Sequence, residues 1–260
     1  MPSPAAGRDT LGAMPGAEER REELKAVYRQ ASVCTRCPQL AESRNTVVFG
    51  AGNADADLMF VGEAPGANED QQGVPFVGQA GKLLDRLLGE IGLTRADVFV
   101  VNVLKCRPPQ NRDPLPQESD NCQDYLFRQL ELIEPRVVCT LGNFSTKLLR
   151  GDPTGITRLH GREEVRVIGR RAVRLYPIFH PAAALYTPAN VEVLRTDFAR
   201  LPELLALDPP PQPEPAEDAV VPVGGEDEDS PRATPEPEPD ADERELQPVG
   251  PQPPAQLGLF

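Results

Sequence analysis

The residues best suited to chemistry begin with acids that follow a short apolar run. Residues 58–61 are apolar and end at a Gly-Glu-Ala-Pro-Gly turn, residues 62–66, a pattern typical of a buried strand that stops abruptly. Glu63 lies in this turn, and Glu69 and Asp70 follow it. Because loops at the carboxyl ends of strands form the ligand crevice of open α/β sheets, we expect these acids to face a site.

Three further side chains are candidates for the same crevice. Asn102 is a polar amide in an apolar run, where it is either a buried amide satisfied by backbone or a group that pairs with the edge of a base. His180 follows another apolar run and precedes a proline that starts a helix, so it is either structural or a donor to a developing anion. Phe76 is either a core plug or a stacking face, and its place beside the acidic turn favours stacking.

The cysteines predict a metal centre. Cys34 and Cys37 lie one helical turn apart, whereas Cys106 and Cys122 are more widely spaced. Zinc and a 4Fe-4S cluster both accept four thiolates, so the spacing does not choose between them. Cys139 lies inside an apolar run and is better explained as a core residue.

Hydrophobic periodicity predicts strands that alternate with helices. Helices are predicted over residues 17–30, 79–91, 117–133, 144–149 and 191–207, and strands over residues 46–49, 58–61, 97–104, 136–141, 165–168 and 172–178. This alternation favours an α/β fold in which a parallel-centred sheet is sandwiched between helices.

The acidic charge of the chain belongs to its C-terminal tail. Residues 208–260 hold 14 acids, 2 arginines and 14 prolines, so they carry −12 of the net charge of −13, and the rest of the chain carries −1. We predict that this tail is disordered, because it cannot bury enough apolar area to fold. A nearly neutral body can still bind an anionic partner through a local basic face. Candidates for that face are the six arginines within residues 158–174, together with Lys105, Arg107 and Arg112.

Composition also predicts the domain organisation and the compartment. We predict a flexible leader over residues 1–16, one domain over residues 17–207, and the tail. No apolar run approaches the length of a membrane span, and the N-terminus lacks the apolar core of a signal peptide. We therefore expect a cytoplasmic monomer without membrane contact, whose reduced cysteines bind metal or pack in the core.

Taken together, the motifs resemble those of the family 4 uracil-DNA glycosylases, the iron–sulfur type found in bacteria and archaea. The resemblance covers residues 34–207. It rests on Gly62-Glu-Ala-Pro-Gly66 with Glu69-Asp70, residues 73–81, Asn102, Lys105-Cys-Arg-Pro-Pro109, the four thiols and His180-Pro-Ala-Ala183. It implies the uracil-DNA glycosylase-like fold and hydrolysis of the N-glycosidic bond of deoxyuridine in DNA, the step that initiates base excision repair.

The resemblance also implies which residues form the sites. A structural 4Fe-4S cluster would be bound by Cys34, Cys37, Cys106 and Cys122, with zinc as the weaker alternative. The substrate would be contacted by Gly62, Ala64, Pro65, Glu69, Phe76 and Asn102. The catalytic residues would be Glu63 and His180.

Individual roles follow from the same resemblance. An enzyme acting on this bond must flip the nucleotide out of the stack. Phe76 would then stack on the uracil, Asn102 would pair with its edge, and His180 would stabilise negative charge on the departing ring. Glu69 would exclude the methyl group of thymine. Leu185 would act as a wedge that fills the gap in the duplex.

The group that activates water is a point where this chain departs from its relatives. Related glycosylases of another family carry an aspartate where this turn has Ala64. Glu63 is the nearest carboxylate, and it either acts as the base or holds the loop. A sister group that becomes covalently trapped on DNA has a histidine-containing basic insertion after the Asn strand. Residues 107–116 contain no histidine, so covalent trapping is disfavoured.

Two rival functions belong to other classes. One is a non-catalytic metal-cluster DNA-binding protein of the same fold. The other is a nucleotide-phosphate binder that uses the glycine-rich turn, which is weak because no Gly-Lys-Ser/Thr cradle follows it.

The last residues of the chain form a separate motif. Gln256, Leu257, Leu259 and Phe260 follow a proline-rich spacer and resemble the short peptide by which bacterial repair and replication proteins dock on the sliding clamp. Apolar anchors on an acidic tether fit capture by a pocket of a partner, although an accidental apolar end is the alternative. The predicted partners are therefore uracil-containing DNA and the bacterial sliding clamp.

Overall fold

A computed structural model describes residues 16–214 of the chain. The predicted leader, apart from residue 16, lies outside the described residues. So do the tail from residue 215 onwards and the predicted clamp-binding residues Gln256, Leu257, Leu259 and Phe260.

Helices and strands alternate along the described residues. The helices are α1 (Ala17–Ser32), α2 (Pro38–Ser43), α3 (Ala67–Gln72), α4 (Gln79–Glu90), α5 (Pro116–Ile133), α6 (Asn143–Arg150), α7 (Ile156–Leu159), α8 (Pro181–Tyr186), α9 (Ala189–Ala199) and α10 (Leu201–Ala206). The strands are β1 (Ala51–Gly52), β2 (Leu58–Gly62), β3 (Val98–Asn102), β4 (Val137–Leu141), β5 (Glu164–Ile168) and β6 (Arg171–Ile178). A 3₁₀ turn covers Pro109–Asn111.

The strands form one sheet in the order β1-β3-β2-β4-β6-β5. The four central strands are mutually parallel, and β1 and β5 are antiparallel edge strands. This confirms the predicted α/β class with a parallel-centred sheet. No helix of the described residues is both long and apolar enough to cross a membrane.

Both faces of the sheet are covered by helices. Along β2, Met59 and Val61 pack with apolar side chains of α1, α5 and α6, whereas Leu58 and Phe60 pack with those of α4, α8, α9 and α10. Every residue of β2, β3 and β4 is buried. This explains why these strands are continuous apolar runs in the sequence, without the alternation typical of a half-exposed sheet.

The structure differs from the predicted elements at the first edge strand. Residues 47–49 are buried, but residues 46–49 form no strand, and the edge of the sheet is the short β1 that follows them. The backbone N–H of Val48 donates to the carbonyl of Lys105 over 2.8 Å, outside any ladder. The backbone N–H of Asn45 is bound by the Asp70 carboxylate over 3.0 Å. The segment is therefore held by bonds to Lys105 and Asp70 that lie outside the sheet ladder.

The C-terminal part of the domain also differs from prediction. The helix predicted over residues 191–207 is two helices, α9 and α10, that meet at Arg200. Pro202 in the first turn of α10 has no N–H to continue the α9 ladder. Beyond the predicted boundary at residue 207, the side chain of Gln212 accepts from Ala172 N over 3.1 Å and donates to Ala172 O over 2.9 Å. The ordered chain therefore continues along β6 past that boundary.

Candidate active site and thiol cavity

The carboxyl ends of the parallel strands frame a cavity of about 360 Å³. Gly62 at the end of β2 pairs in register with Asn102 at the end of β3, and β6 ends just before His180. The predicted residues that the structure brings together in the cavity lining are Glu63, Ala64, Pro65, Glu69, Phe76, Asn102 and His180. Further lining residues are Gly66, Ala80, Pro108, Asn111, Arg112 and Ala182.

Gly62 lies immediately behind the cavity, between two of its lining residues. A Cβ atom at this position would come within 2.3 Å of Asn102 Oδ1 and 2.8 Å of Phe76 Cζ. Since real Cβ atoms do not make contacts this short, only glycine lets the amide and the aromatic ring approach the strand end together. Gly62 itself is not among the residues that line this cavity, and its contact with the substrate stays a prediction.

Asn102 is a buried amide with an unpaired acceptor. Its side chain is only 2% exposed, and Oδ1 has no hydrogen-bond partner among the described residues. A buried carbonyl oxygen left unpaired costs about 1–3 kcal/mol, so native structures keep few of them. An N–H donor of a ligand in the cavity would remove this cost.

His180 has a defined tautomer and a low proton affinity. Nδ1 accepts a hydrogen bond from Ala182 N over 3.0 Å and caps the start of α8, so the ring proton is assigned to Nε2. Burial lowers the pKa of His180 to about 4, and the nearby Glu69 carboxylate opposes this shift. A neutral imidazole with its proton on Nε2 can donate a hydrogen bond without carrying charge.

The Phe76 ring stacks on the His180 ring, with the ring centroids 5.5 Å apart and an interplanar angle of 27°. The Phe76 side chain is 6% exposed, yet it lines the cavity. The ring therefore belongs to the core and forms part of the cavity wall, and its stacking on a base stays a prediction.

Glu69 fixes the loop that carries Phe76. Its Oε1 accepts hydrogen bonds from the backbone N–H groups of Val77, over 3.0 Å, and Gly78, over 2.9 Å. Gly78 is the N-cap of α4, where the N–H has no partner within the helix, and Val77 immediately precedes it. Glu69 also lines the cavity, where it remains a candidate barrier to the thymine methyl group.

Glu63 and Asp70 lie in different surroundings in the structure. Glu63 lines the cavity, and its pKa is raised by burial and by repulsion from Asp113. Asp70 is 1% exposed and turns away to bind the backbone N–H of Asn45. The expectation that Asp70 faces the site is therefore wrong, because its carboxylate holds the segment that precedes β1.

The predicted basic face is smaller than the sequence indicates. Lys105 is 1% exposed, and its Nζ donates to Asn102 O over 2.7 Å and to Gln129 Oε1 over 2.6 Å. Lys105 therefore supports the end of β3 and cannot reach a phosphate. Arg112 lines the cavity but forms a bidentate pair with Glu118, at 2.8 and 2.6 Å.

The arginines within residues 158–174, apart from Arg174, which donates to the Asp208 carbonyl over 2.9 Å, divide into two groups. Arg166 and Arg171 form ion pairs with Glu164 and Glu134. Arg158, Arg162 and Arg170 are exposed and form no ion pair within residues 16–214. This second group remains available for contact with phosphates.

Asn111 is a lining residue that the sequence reasoning missed. It has a positive φ of 56° and lies in the 3₁₀ turn after β3. Asparagine is one of the few residues that adopt this conformation readily. The signal available in the sequence was a Gln-Asn pair between prolines, in the loop that follows the strand with Asn102.

The four predicted thiols line a second, smaller cavity. Cys34 follows α1, Cys37 precedes α2, Cys106 follows β3, and Cys122 lies in α5. Among the described residues, no group of three or more His, Cys, Asp or Glu side chains is placed to hold a metal ion. Cys139 is fully buried in β4 on the sheet, which agrees with its interpretation as a core residue.

N–H groups point at three of these sulfurs. Arg44 Nη1 donates to Cys106 Sγ over 3.2 Å, the backbone N–H of Lys105 to Cys122 Sγ over 3.3 Å, and Asn121 Nδ2 to Cys37 Sγ over 3.5 Å. Such donors stabilise thiolates and are typical of the surroundings of thiolate-ligated metals. Three of the four predicted sulfurs therefore accept N–H donors, although no three of the described thiols are placed to hold a metal ion.

Two exposed apolar residues lie at the end of α8. Leu185 is 47% exposed and Tyr186 is 87% exposed. The helix that carries them begins at His180, so they lie one to two turns from the cavity lining. Leu185 therefore lies three residues after Ala182 of the cavity lining, and its role as a wedge stays a prediction.

Comparison with a family model identifies the class of protein. Residues 49–201 match the model described as the uracil DNA glycosylase superfamily. The matched residues include the sheet from its first strand, the cavity loops and α8. The fold is therefore that of this superfamily.

Comparison with individual relatives narrows the superfamily to one family. The chain is 46% identical over 188 residues to a type-4 uracil-DNA glycosylase of Archaeoglobus fulgidus, which covers 70% of this chain and 94% of the relative. It is 44% identical over 193 residues to a type-4 uracil-DNA glycosylase of Saccharolobus solfataricus, covering 72% and 89%. A type-5 uracil-DNA glycosylase of Pyrobaculum aerophilum is 31% identical over 205 residues, covering 66% and 86%. The chain belongs to the type-4 uracil-DNA glycosylase family, which confirms the resemblance of its motifs.

Proposed function

We propose that the chain is a monofunctional uracil-DNA glycosylase that hydrolyses the N-glycosidic bond of deoxyuridine in DNA and so initiates base excision repair. The observation that carries this proposal is the unpaired Oδ1 of Asn102, buried in a cavity that Phe76 and His180 also line. The type-4 relatives support the same activity.

The cavity residues account for recognition of the base. A flipped uracil would stack on Phe76 and present its N3–H to Asn102 Oδ1, which otherwise lacks a donor. The amide N–H of Asn102 would donate to O4 of the base. Cytosine carries an amino group at that position and no N3–H, so it would leave both groups of Asn102 without a partner. A site built to pair with such groups rejects an analogue that lacks them by about 10⁴-fold or more.

His180 would assist departure of the base. As the glycosidic bond breaks, negative charge develops on the uracil ring, and a neutral Nε2–H donor in a buried cavity stabilises that charge. The low pKa favours this role, since a neutral histidine keeps its Nδ1 bond to Ala182. Loss of one preorganised donor of this kind costs about 10²–10³ in rate.

Glu63 is the cavity carboxylate proposed to orient or activate the attacking water. Its raised pKa comes from burial and from Asp113, and both effects increase its affinity for a proton. The next residue in the cavity wall is Ala64, which has no carboxylate. Glu63 is therefore the group whose substitution tests water activation.

We propose that the thiol cavity holds a 4Fe-4S cluster bound by Cys34, Cys37, Cys106 and Cys122. Membership of the type-4 family, and the resemblance of the motifs to those of the iron–sulfur glycosylases, support an iron–sulfur cluster over zinc. When bound, the cluster would link the start of α2, the end of β3 and α5 in a structural role. The chain supplies the N–H donors to its sulfur ligands from Arg44, Lys105 and Asn121.

The experiment that tests the proposed function uses the purified metal-loaded full chain and a labelled duplex with a single uracil. We expect an alkali-labile abasic site at the uracil position and none in a duplex with thymine at that position. Tight binding of the uracil duplex without any abasic product would refute the glycosylase and support the non-catalytic DNA-binding protein.

A further inference from the structure

The backbone at Phe76 adopts a conformation that needs external support. Its φ is +55°, in the left-handed region that side-chain-bearing residues other than asparagine and aspartate rarely adopt. Such conformations persist only where the surrounding structure imposes them, and they concentrate at functional sites. The backbone of Phe76 therefore needs partners that hold it in this conformation.

Arg95 contacts this backbone from outside the cavity. It lies in the loop between α4 and β3, and its Nη2 donates to Phe76 O over 2.8 Å while Nη1 donates to Pro75 O over 3.4 Å. Its Nε donates to Asp85 of α4 over 2.5 Å, which fixes the guanidinium. Gly81 leaves room for the carbonyl, since a Cβ there would lie 1.7 Å from Phe76 O.

The loop is therefore held from both sides. Glu69 binds the N–H groups that follow Phe76, and Arg95 binds the carbonyl of Phe76 and the one before it. Glu69 and Arg95 are both charged side chains, and hydrogen bonds to charged groups are about twice as strong as those between neutral groups. Glu69 lines the cavity, whereas Arg95 does not.

We propose that Arg95 is a positioning residue for uracil excision, which fixes the backbone of Phe76 and so sets the plane of the ring against the base and against His180. This inference rests on the proposed glycosylase function. Without the guanidinium, the backbone of Phe76 relaxes out of the left-handed region, and the ring leaves its position 5.5 Å from His180. A displacement of about 1 Å in an active site can cost about 10²-fold in rate.

The first test compares Arg95→Ala with Arg95→Lys and with Arg86→Ala, a control at an exposed arginine of the neighbouring helix α4. The measured quantity is the single-turnover rate of uracil excision, beside the affinity for an undamaged duplex. We expect Arg95→Ala to lower the rate by about 10- to 100-fold. Affinity for undamaged DNA should remain within about twofold, Arg95→Lys should recover part of the rate because it keeps one charged donor, and Arg86→Ala should match wild type.

The second test asks whether Arg95 acts through Phe76. In a Phe76→Leu background there is no ring plane to set, so adding Arg95→Ala should lower the rate by less than about twofold. Hydrogen exchange of the Val77 and Gly78 amides should also become faster in Arg95→Ala, because the loop loses its second support.

Defined outcomes overturn the inference. A wild-type rate in Arg95→Ala would do so, as would full additivity with Phe76→Leu, or a rate loss matched by an equal loss of affinity for undamaged DNA. If wild type itself excises no uracil, the proposed function fails instead. The hydrogen-exchange comparison then still decides whether Arg95 holds the Phe76 loop.

Discussion

At the scale of single residues, the pocket depends on side chains whose protonation and hydrogen-bond partners are defined. The sequence singled out Asn102, His180 and Phe76 because each is a polar or aromatic interruption beside an apolar strand or a glycine-rich turn, and in the structure all three line one cavity. It could not predict that Lys105 is buried or that Asp70 faces away from the cavity. Those outcomes depend on partners distant in the chain, Gln129 for the former and Asn45 for the latter.

The role of Glu63 is tested by Glu63→Gln, which keeps the shape of the side chain and removes its basicity. If Glu63 activates water, we expect the single-turnover rate of excision to fall by about 10²- to 10⁴-fold, the usual contribution of a general base. The same variant should bind a uracil duplex as wild type does. Near-full activity would remove Glu63 as the base and leave it the role of holding the loop.

The low pKa of His180 gives a pH dependence with a definite sign. The folded-state pKa of about 4 lies below the ordinary value of 6.5, so the unfolded chain binds more protons between these two values. The contribution of His180 to stability is therefore complete above pH 6.5 and is lost as the pH falls towards about 4.

Chemical denaturation at pH 7 and pH 5 measures this contribution. Wild type should lose more free energy of unfolding between the two pH values than His180→Gln does, since glutamine does not titrate. The excision rate of folded wild type should show no step near pH 6.5, because the histidine stays neutral there. A step at that pH, or equal losses in the two proteins, would contradict the assignment.

At the scale of elements, long buried strands and long helices were predictable and short elements were not. The runs of β2, β3 and β4 are apolar except at Asn102 and Thr140, because helices cover both faces. The short helices α2, α3 and α7 have too few turns to show a period. Pro202 offered a signal for the break between α9 and α10 that the apolar periodicity around it concealed.

The four thiols come from segments that are far apart in the sequence, so a metal centre bound to them would join these segments. We expect Cys106→Ser to reduce bound iron and to destabilise the domain by more than about 4 kcal/mol, as loss of a structural metal does. Cys139→Ala is the matched control, because this buried cysteine lies in β4, outside the thiol cavity. Iron and sulfide per chain, with visible absorbance, measure the outcome. Full iron in Cys106→Ser, or a wild-type protein that holds zinc, would contradict the assignment.

At the scale of the whole molecule, composition separates a nearly neutral body from a strongly acidic tail. We propose that the last five residues bind the sliding clamp. Deletion of residues 256–260 should abolish capture by immobilised clamp and leave uracil excision unchanged. Replacing residues 246–250 instead, at the same tail length, should preserve capture. Unchanged capture after the deletion would refute this role.

The central claim is that Asn102, Phe76 and His180 form one pocket for an extruded uracil. The most direct measurement is the single-turnover excision rate of wild type and Asn102→Ala on matched duplexes that carry uracil or cytosine at one position. We predict rapid excision of uracil by wild type, no excision of cytosine, and a loss of about 10³-fold or more for uracil in Asn102→Ala. Equal rates for wild type and Asn102→Ala on uracil would contradict the account.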